Sequence, residues 1–238
     1  MAERGFAVVT GATSGIGREI ARALTEHGFD VLRVGEDDYD LSTPEGVEAL
    51  HAGLDRPVDV LALNAGVSEG GAFATGDLHA HLHLIDLNVR GTVHLAGLVT
   101  REMVARRRGR VLLTSSMVAT MPGPFQATYN ASKSFVQSFG LALRDELREH
   151  EVSVTVLMPG PTDTHIFARA GQLDTLLGAS SHKADPADVA EQAVDALLAG
   201  RERVVAASLP LRLANLAGGV LPDSLKARLN AVIARPVR

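Results

Sequence analysis

Cysteine is absent from the chain, which removes disulfides, thiol nucleophiles and Cys-ligated zinc from the available chemistry and leaves the redox compartment open. An excess of positive charge is absent too. Lys and Arg total 23 against 28 Asp and Glu, a formal net charge of -5, so no basic footprint invites nucleic acid or anionic lipid. Partners are expected among small molecules and copies of the same chain. No apolar run reaches membrane-spanning length, and the run inside MAERGFAVVTG is too short for a signal-peptide core. A cytoplasmic protein without membrane contact is the expectation. Repeats, low-complexity tracts and linkers are also missing. What is present is 238 residues, 46% hydrophobic and 21% charged, enough to bury one sizeable core, and residues 1–238 read as a single α/β domain.

Short apolar runs recur at 6–10 (FAVVT), 30–34 (DVLRV), 58–63 (VDVLAL), 110–114 (RVLLT), 152–158 (VSVTVLM) and 203–207 (RVVAA), each bounded by turn formers. Such runs suit strands buried on both faces. Helical patterns fall between them at 15–27, 44–54, within 78–107, at 127–150 and at 186–198. Ser42 with Glu45 reads as a capping box, and Asp185 then Pro186 as N-cap and N1, with Gly200 past the last turn. Strands alternating with helices predict a doubly wound parallel sheet in a three-layer α/β/α arrangement. One interval departs from that scheme. After the strand ending at Val34 the chain reaches Tyr39, Asp40 and Leu41 within a few residues, where a parallel crossover needs about a dozen. The crossover helix after the second strand is therefore predicted to be missing, and the strand after it reduced or lost.

Several motifs carry chemistry. In TGATSGIG (10–17), Gly11, Gly15 and Gly17 sit where backbone turns tightly into a helix, whose N-terminal amides favour a pyrophosphate; a plain strand-to-helix turn explains the glycines equally well. Asn64, Ala65 and Gly66 follow a strand at the end where open α/β sheets bind ligands, with a simple turn as the alternative. Tyr129 and Lys133 are four apart and share a helix face, an arrangement that in isolation is most often an ordinary surface pair. Ser115 and Ser116 follow a strand and point to opposite faces, so only one of them can meet Tyr129. His79, His81 and His83 do not converge on one helical face, and no metal site is expected.

Taken jointly and in order, TGATSGIG, Asn-Ala-Gly at 64–66, Asn88 in DLNVRGT, Ser116 in LLTSSMVA, Y-x3-K at 129–133 and PGPTDT at 159–164 resemble the classical short-chain dehydrogenase/reductase (SDR) family. The resemblance runs through about residue 207. It implies a Rossmann-like NAD(P)-binding domain and hydride transfer between a nicotinamide cofactor and an alcohol or carbonyl. It assigns Tyr129 as acid and base, Ser116 as the hydrogen-bonding partner of the same substrate oxygen, and Ser115 as a satisfied polar group at a strand end. Lys133 is to hold the nicotinamide ribose, and Asn88 to link it, through a backbone carbonyl and a water, to a proton relay. A cation near the phenol, together with the positive ring of the oxidised cofactor, favours the phenolate and brings Tyr129 into range.

By the same resemblance, Gly11, Thr13, Ser14, Gly15, Ile16 and Gly17 cradle the dinucleotide, and Asn64, Ala65 and Gly66 pass beneath adenosine ribose. Asp40 and Leu41 meet adenine. Pro159, Gly160, Thr162 and Thr164 run under the nicotinamide, with the Thr164 hydroxyl on its carboxamide. The position usually acidic in NAD-dependent members is Gly35, a departure, but Glu36 and Asp37 follow at once and Ser14 replaces a residue often basic in NADP-dependent ones. Glu36 on a ribose diol predicts NAD over NADP, with NADP possible. The alternative function is a non-catalytic dinucleotide-binding or sensing module of the same fold. Met117, Val118, Met121, Pro122 and Phe125 are expected to line a pocket for a medium-sized, largely apolar alcohol or ketone; Ile166, Phe167 and Leu173 are apolar enough to cover it, with packing on the body of the domain as the alternative. A homodimer or homotetramer is expected through the helices carrying Asn88 and Tyr129. Residues 208–238 diverge from the family pattern, with a short amphipathic helix near 222–234.

Overall fold

The computed structural model describes residues 4–164, 175, 183–207 and 222–235. Six strands form one parallel sheet: β1 (Phe6–Thr10), β2 (Asp30–Val34), β3 (Val60–Leu63), β4 (Gly109–Thr114), β5 (Val152–Pro159) and β6 (Arg203–Ala206), in the order β2-β1-β3-β4-β5-β6. The helices that cross over between them are α1 (Gly15–Glu26), α2 (Pro44–Ala52), α3 (Leu78–Ile85), α4 (Thr92–Arg106), α5 (Ala127–Leu147) and α6 (Pro186–Leu198), and α7 (Asp223–Ala234) follows the sheet. This is the three-layer α/β sandwich with a Rossmann-like sheet that the alternation of patterns predicts.

Period-two alternation splits each strand between two cores. Val8, Leu61, Leu63, Val111, Leu113 and Val154 face one side, where Val47, Leu95, Val99, Met103 and Val136 of α2, α4 and α5 cover them. Ala7, Val9, Val60, Ala62, Leu112 and Leu157 face the other, under Ile20 and Leu24 of α1 and Val189, Ala193 and Val194 of α6. Helix α5 comes close to the sheet because Gly140 has no side chain: a Cβ there would lie 2.7 Å from Val156 and 2.8 Å from Leu113. The strand order reverses between β1, which pairs with both β2 and β3, and the rest of the sheet. Loops leaving β1 and β3 at their carboxyl ends therefore diverge, and a crevice opens between them.

From Val34 the chain passes through residues 35–43 directly into α2, with no helix between, and β2 is the outermost strand among the described residues. The cap of α2 corrects the sequence expectation. Thr43, not Ser42, accepts from the Gly46 amide at 3.1 Å, while Ser42 turns back and donates from its amide and hydroxyl to Asp40 Oδ1 at 3.0 and 2.6 Å. The long helix expected within 78–107 forms with continuous helical backbone but bulges: a π turn over Asp86–Gly91 joins α3 to α4 and carries Asn88. Helix α7 forms as expected, but Leu225, Leu229 and Val232 point outward at 42%, 55% and 65% exposure, while Asn230 and Ala234 are buried. No helix among the described residues is long and apolar enough to cross a membrane.

Candidate active site

The glycine loop between β1 and α1 is shaped by contacts that a Cβ would fill. Gly11 holds φ +64 with Ala65 backbone 2.9 Å from where its Cβ would be, and Gly17 has the Gly11 carbonyl oxygen only 2.1 Å from that point. A Cβ on Gly15, at φ +53, would lie 3.0 Å from the Thr164 methyl, so the segment after β5 comes up against the loop. Ser14 precedes α1 in extended conformation, its side chain makes no cap, and the first turn holds no acidic residue. The first-turn amides and the positive end of the helix dipole are thus available to an anion. Ile16 is half-buried against the α1 core and Thr13 is exposed, its methyl pressed toward Gly35.

The loop leaving β3 is fixed by β1 and β4. Thr10 Oγ1 accepts from the Asn64 and Ala65 amides at 3.0 Å each, and Thr114 Oγ1 donates to Asn64 Oδ1 at 3.1 Å. Asn64 Nδ2 donates to the Gly11 carbonyl at 3.4 Å, which joins this loop to the glycine loop. Asn88, 1% exposed, then grips the next residues: its Oδ1 accepts from the Val67 amide and its Nδ2 donates to the Val67 carbonyl, both at 2.9 Å. The same Nδ2 reaches Ser132 Oγ at 3.1 Å, and Ser132 Oγ donates to the Tyr129 carbonyl at 2.7 Å. A Cβ on Gly66 would lie 3.0 Å from Asn88 Oδ1 and 3.3 Å from Lys133 Nζ, so the glycine leaves room for both.

Ser116, Tyr129 and Lys133 meet at the carboxyl end of β4. Ser115 and Ser116 diverge as alternation requires. Ser115 donates to the Lys133 carbonyl at 2.7 Å, pinning α5 to β4, while Ser116 faces the Tyr129 phenol. Burial pushes the Tyr129 phenol up to about 12, and a side-chain hydrogen bond with Ser116 opposes part of that rise. Lys133 is 5% exposed, donates to the Thr114 carbonyl at 3.0 Å, and is brought down to about 8 by burial. Its Nζ lies 5.8 Å from the Tyr129 ring centroid. Without a cofactor, desolvation is the larger influence on the phenol, and Tyr129 stands as a neutral, proton-bearing group.

Comparison with known proteins gives the same picture. The family model for short chain dehydrogenase matches residues 38–174, more than half of the chain. The chain belongs to the short-chain dehydrogenase family. An uncharacterised short-chain type dehydrogenase/reductase of Sinorhizobium fredii is 34% identical over 184 residues, 69% of this chain and 72% of that protein. The chain spans 60% of the SDR family member 7B of Xenopus laevis, at 31% identity over 68% of its own length. Among solved structures, a short-chain dehydrogenase from Sphingobium yanoikuyae in complex with NADPH superposes with TM-score 0.80 at 23% identity, over 90% of this chain and 92% of that one, a likeness of fold. A 3-ketoacyl-(acyl-carrier-protein) reductase from Brucella melitensis complexed with NADH gives TM-score 0.74 at 25% identity, over 87% and 97%.

The remaining expected residues are placed less evenly. Glu36 and Asp37 are exposed, and Asp38 accepts from the Gly35 amide at 2.7 Å. Asp40 has its Oδ1 engaged by Ser42, which holds its carboxyl below the usual range. Leu41 is 7% exposed and packs into the core with Val34 and Val47, so most of its surface is committed away from a ligand. Thr162 is 4% exposed and its hydroxyl donates to the Gly160 carbonyl at 2.9 Å, which takes that donor into its own turn. Pro159 ends β5, and Gly160 lies against Ala207 and Met117. Residues 166, 167 and 173, expected as a pocket cover, lie outside the described residues. His81 is buried beside Phe73, whereas His79 and His83 are exposed. Four residues that organise the site were given no role by the sequence reading: Thr10, Val67, Thr114 and Ser132. A threonine ending a buried strand, at 10 and 114, is the signal that could have found two of them.

Proposed function

We propose that the protein is an NAD(P)-dependent alcohol dehydrogenase or ketone reductase with Ser116, Tyr129, Lys133 and Asn88 as its machinery. The observation that carries the reading is the meeting of half-buried Ser116 and Tyr129 with the buried Lys133 at the carboxyl end of β4, the Lys133 ammonium 3.3 Å from where a Cβ on Gly66 would lie. The donor set fits a dinucleotide: Gly11, Gly15 and Gly17 leave a cradle that any Cβ would fill, beside uncapped amides of α1. Gly11, Thr13, Ser14, Gly15, Ile16 and Gly17 would hold the pyrophosphate, Asn64 to Gly66 the adenosine ribose, and Pro159, Gly160 and Thr164 the nicotinamide side. When bound, the nicotinamide supplies or accepts the hydride.

This chain's own groups handle the proton and the oxygen. In reduction, the neutral Tyr129 phenol donates its proton to the oxygen of the carbonyl as charge develops there, and Ser116 donates a hydrogen bond to the same atom. Its raised pKa suits that direction, since a buried phenol keeps its proton at neutral pH. In oxidation, Tyr129 needs further positive charge nearby to accept the proton, which the ammonium of Lys133 and an oxidised ring together provide. Lys133, below its usual pKa, also sits where a proton lost by Tyr129 can be replaced. Asn88 keeps the Gly66–Val67 backbone and Ser132 in register with both.

For the adenosine end we infer a preference for NAD over NADP. The turn after β2 presents Glu36 and Asp37 to solvent. A Cβ on Gly35 would lie 2.5 Å from the Thr13 methyl, so the acidic group has to come from the next position. Like charges oppose the additional phosphate, and Glu36 can accept from ribose hydroxyls. Association of two copies through α3, α4 and α5 is supported by Leu78, Leu82, Ile85 and Phe135, exposed by 42% or more.

The decisive experiment is Tyr129→Phe. Purified, folded variant and wild type are offered NADH and NADPH with acetone, acetophenone and benzophenone while nicotinamide absorbance is followed. The expected outcome is a loss of about 10²–10⁴-fold in turnover with cofactor binding retained; wild-type turnover by the variant refutes the assignment.

A further inference from the structure

Helix α7 makes two specific contacts with the stretch between Ser116 and Tyr129. Asn230, 2% exposed, donates from Nδ2 to the Pro122 carbonyl at 3.1 Å across 108 residues of chain. The guanidinium of Arg235 lies 5.3 Å from the centroid of the Phe125 ring, within cation–π range. Phe125 is itself unusual. It holds φ +63, in the left-handed region that a bulky side chain seldom occupies. Its carbonyl accepts from the Gly71 amide at 2.9 Å, which ties it to the loop after β3. On the far side, Asn130 Nδ2 donates to the Val118 carbonyl at 2.6 Å and anchors the stretch to α5.

A residue in a sparsely populated conformation stays there only where its surroundings over-determine it. Here three elements grip one short stretch: α5 through Asn130, the loop after β3 through Gly71, and α7 through Asn230 and Arg235. The first two belong to elements that also hold Tyr129 and Asn88. The third is a helix beyond the sheet that turns Leu225, Leu229 and Val232 outward and buries the polar Asn230. A buried amide lacking its carbonyl partner would be costly, so the bond to Pro122 fixes which face of the helix turns in.

We propose that Asn230 and Arg235 are positioning residues: by holding Pro122 and Phe125 they fix the wall opposite Tyr129 and so decide how bulky a carbonyl substrate the site admits. The identity of that wall rests on the ketone reductase reading; the grip of α7 on it does not. Amide exchange in the full-length protein separates the two. In the Asn230→Ala, Arg235→Ala double variant the Gly71 and Gln126 amides should exchange about tenfold faster or more, while amides of α5 from Ser132 to Gly140 keep wild-type protection. Arg235→Lys should retain protection at Gly71, because an ammonium can occupy the same place over the ring. Arg235→Gln changes one exposed side chain and carries the same exchange readout if the double variant folds poorly.

In turnover, the double variant should alter KM for benzophenone relative to acetone by about tenfold, with kcat for acetone unchanged. Unaltered exchange at Gly71 and Gln126 in the double variant, or equal changes for acetone and benzophenone, would overturn the proposal. Faster exchange at those amides in a protein that reduces none of the three ketones would uphold the grip and count against the enzymatic reading alone.

Discussion

Replacing Lys133 by methionine tests the electrostatics of the site without needing a substrate. Burial lowers the lysine from 10.5 to about 8, a difference corresponding to about 3 kcal/mol between its charged and neutral forms. Below pH 8 the folded and unfolded chains both hold the proton, and the cost of keeping an ammonium buried is felt in full. Between about 8 and 10.5 the unfolded chain still holds a proton that the folded chain has released. Stability therefore rises with pH in that window, with a slope approaching about 1.4 kcal/mol per pH unit. Tyr129 contributes the opposite trend above its unfolded value of 10.0, because the folded chain then keeps the proton longer. Comparing wild type with Lys133→Met cancels that contribution. The variant leaves the Thr114 carbonyl without its donor, a pH-independent loss of about 1–3 kcal/mol. The variant should thus equal or exceed wild type in stability at pH 7 and fall behind it by pH 10. Urea melts at a series of pH values give the two curves. Parallel curves across the window would show that Lys133 is not held in a desolvating site, and the reasoning would fail.

Gly17→Ala puts a Cβ about 2.1 Å from the Gly11 carbonyl and 2.4 Å from Asn64 Nδ2; it should cost about 1–3 kcal/mol in a urea melt and abolish NADH binding by fluorescence titration, and unchanged affinity would remove the loop from the cofactor site. Asn88→Ala strands both backbone groups of Val67 and should destabilise by about 2–4 kcal/mol, with Asn88→Asp recovering part because it still accepts from the Val67 amide; a change within about 0.5 kcal/mol would show that Val67 finds other partners. Glu36→Arg should move the ratio of NADPH to NADH affinity toward NADPH by about tenfold or more, with a change of 1.4 kcal/mol per decade; an unmoved ratio places Glu36 away from the ribose.

Local pattern was enough for most of the frame. Runs such as FAVVT and VSVTVLM can lie only between two apolar layers, and β1 and β5 lie there. The opposed roles of Ser115 and Ser116 were legible because strand alternation admits one side chain per face. The failures share a cause, which is that they depend on partners distant in sequence. The π turn at Asp86–Gly91 leaves no trace in periodicity; what places it is the grip of Asn88 on Val67 and the Leu41 carbonyl, 2.1 Å from where a Gly91 Cβ would be. Ser42 and Thr43 are both good caps, and only the folded position of Asp40 tells which one is taken. Sequence spacing puts Lys133 beside the phenol, whereas the desolvation that both groups feel is a property of everything packed around them.

The direct passage from β2 into α2 also decides how the sheet ends. With no strand beyond it among the described residues, β2 presents a row of backbone donors and acceptors that another extended chain can pair with. The side chains there discourage it. β2 is only five residues long, and two of them, Asp30 and Arg33, are exposed and charged, with Arg56 drawn onto Asp30. The opposite margin, β6, is four residues long and begins with the exposed Arg203. Short length and charge at both margins make strand addition between molecules costly, so the sheet formed by the described residues is a poor template for aggregation.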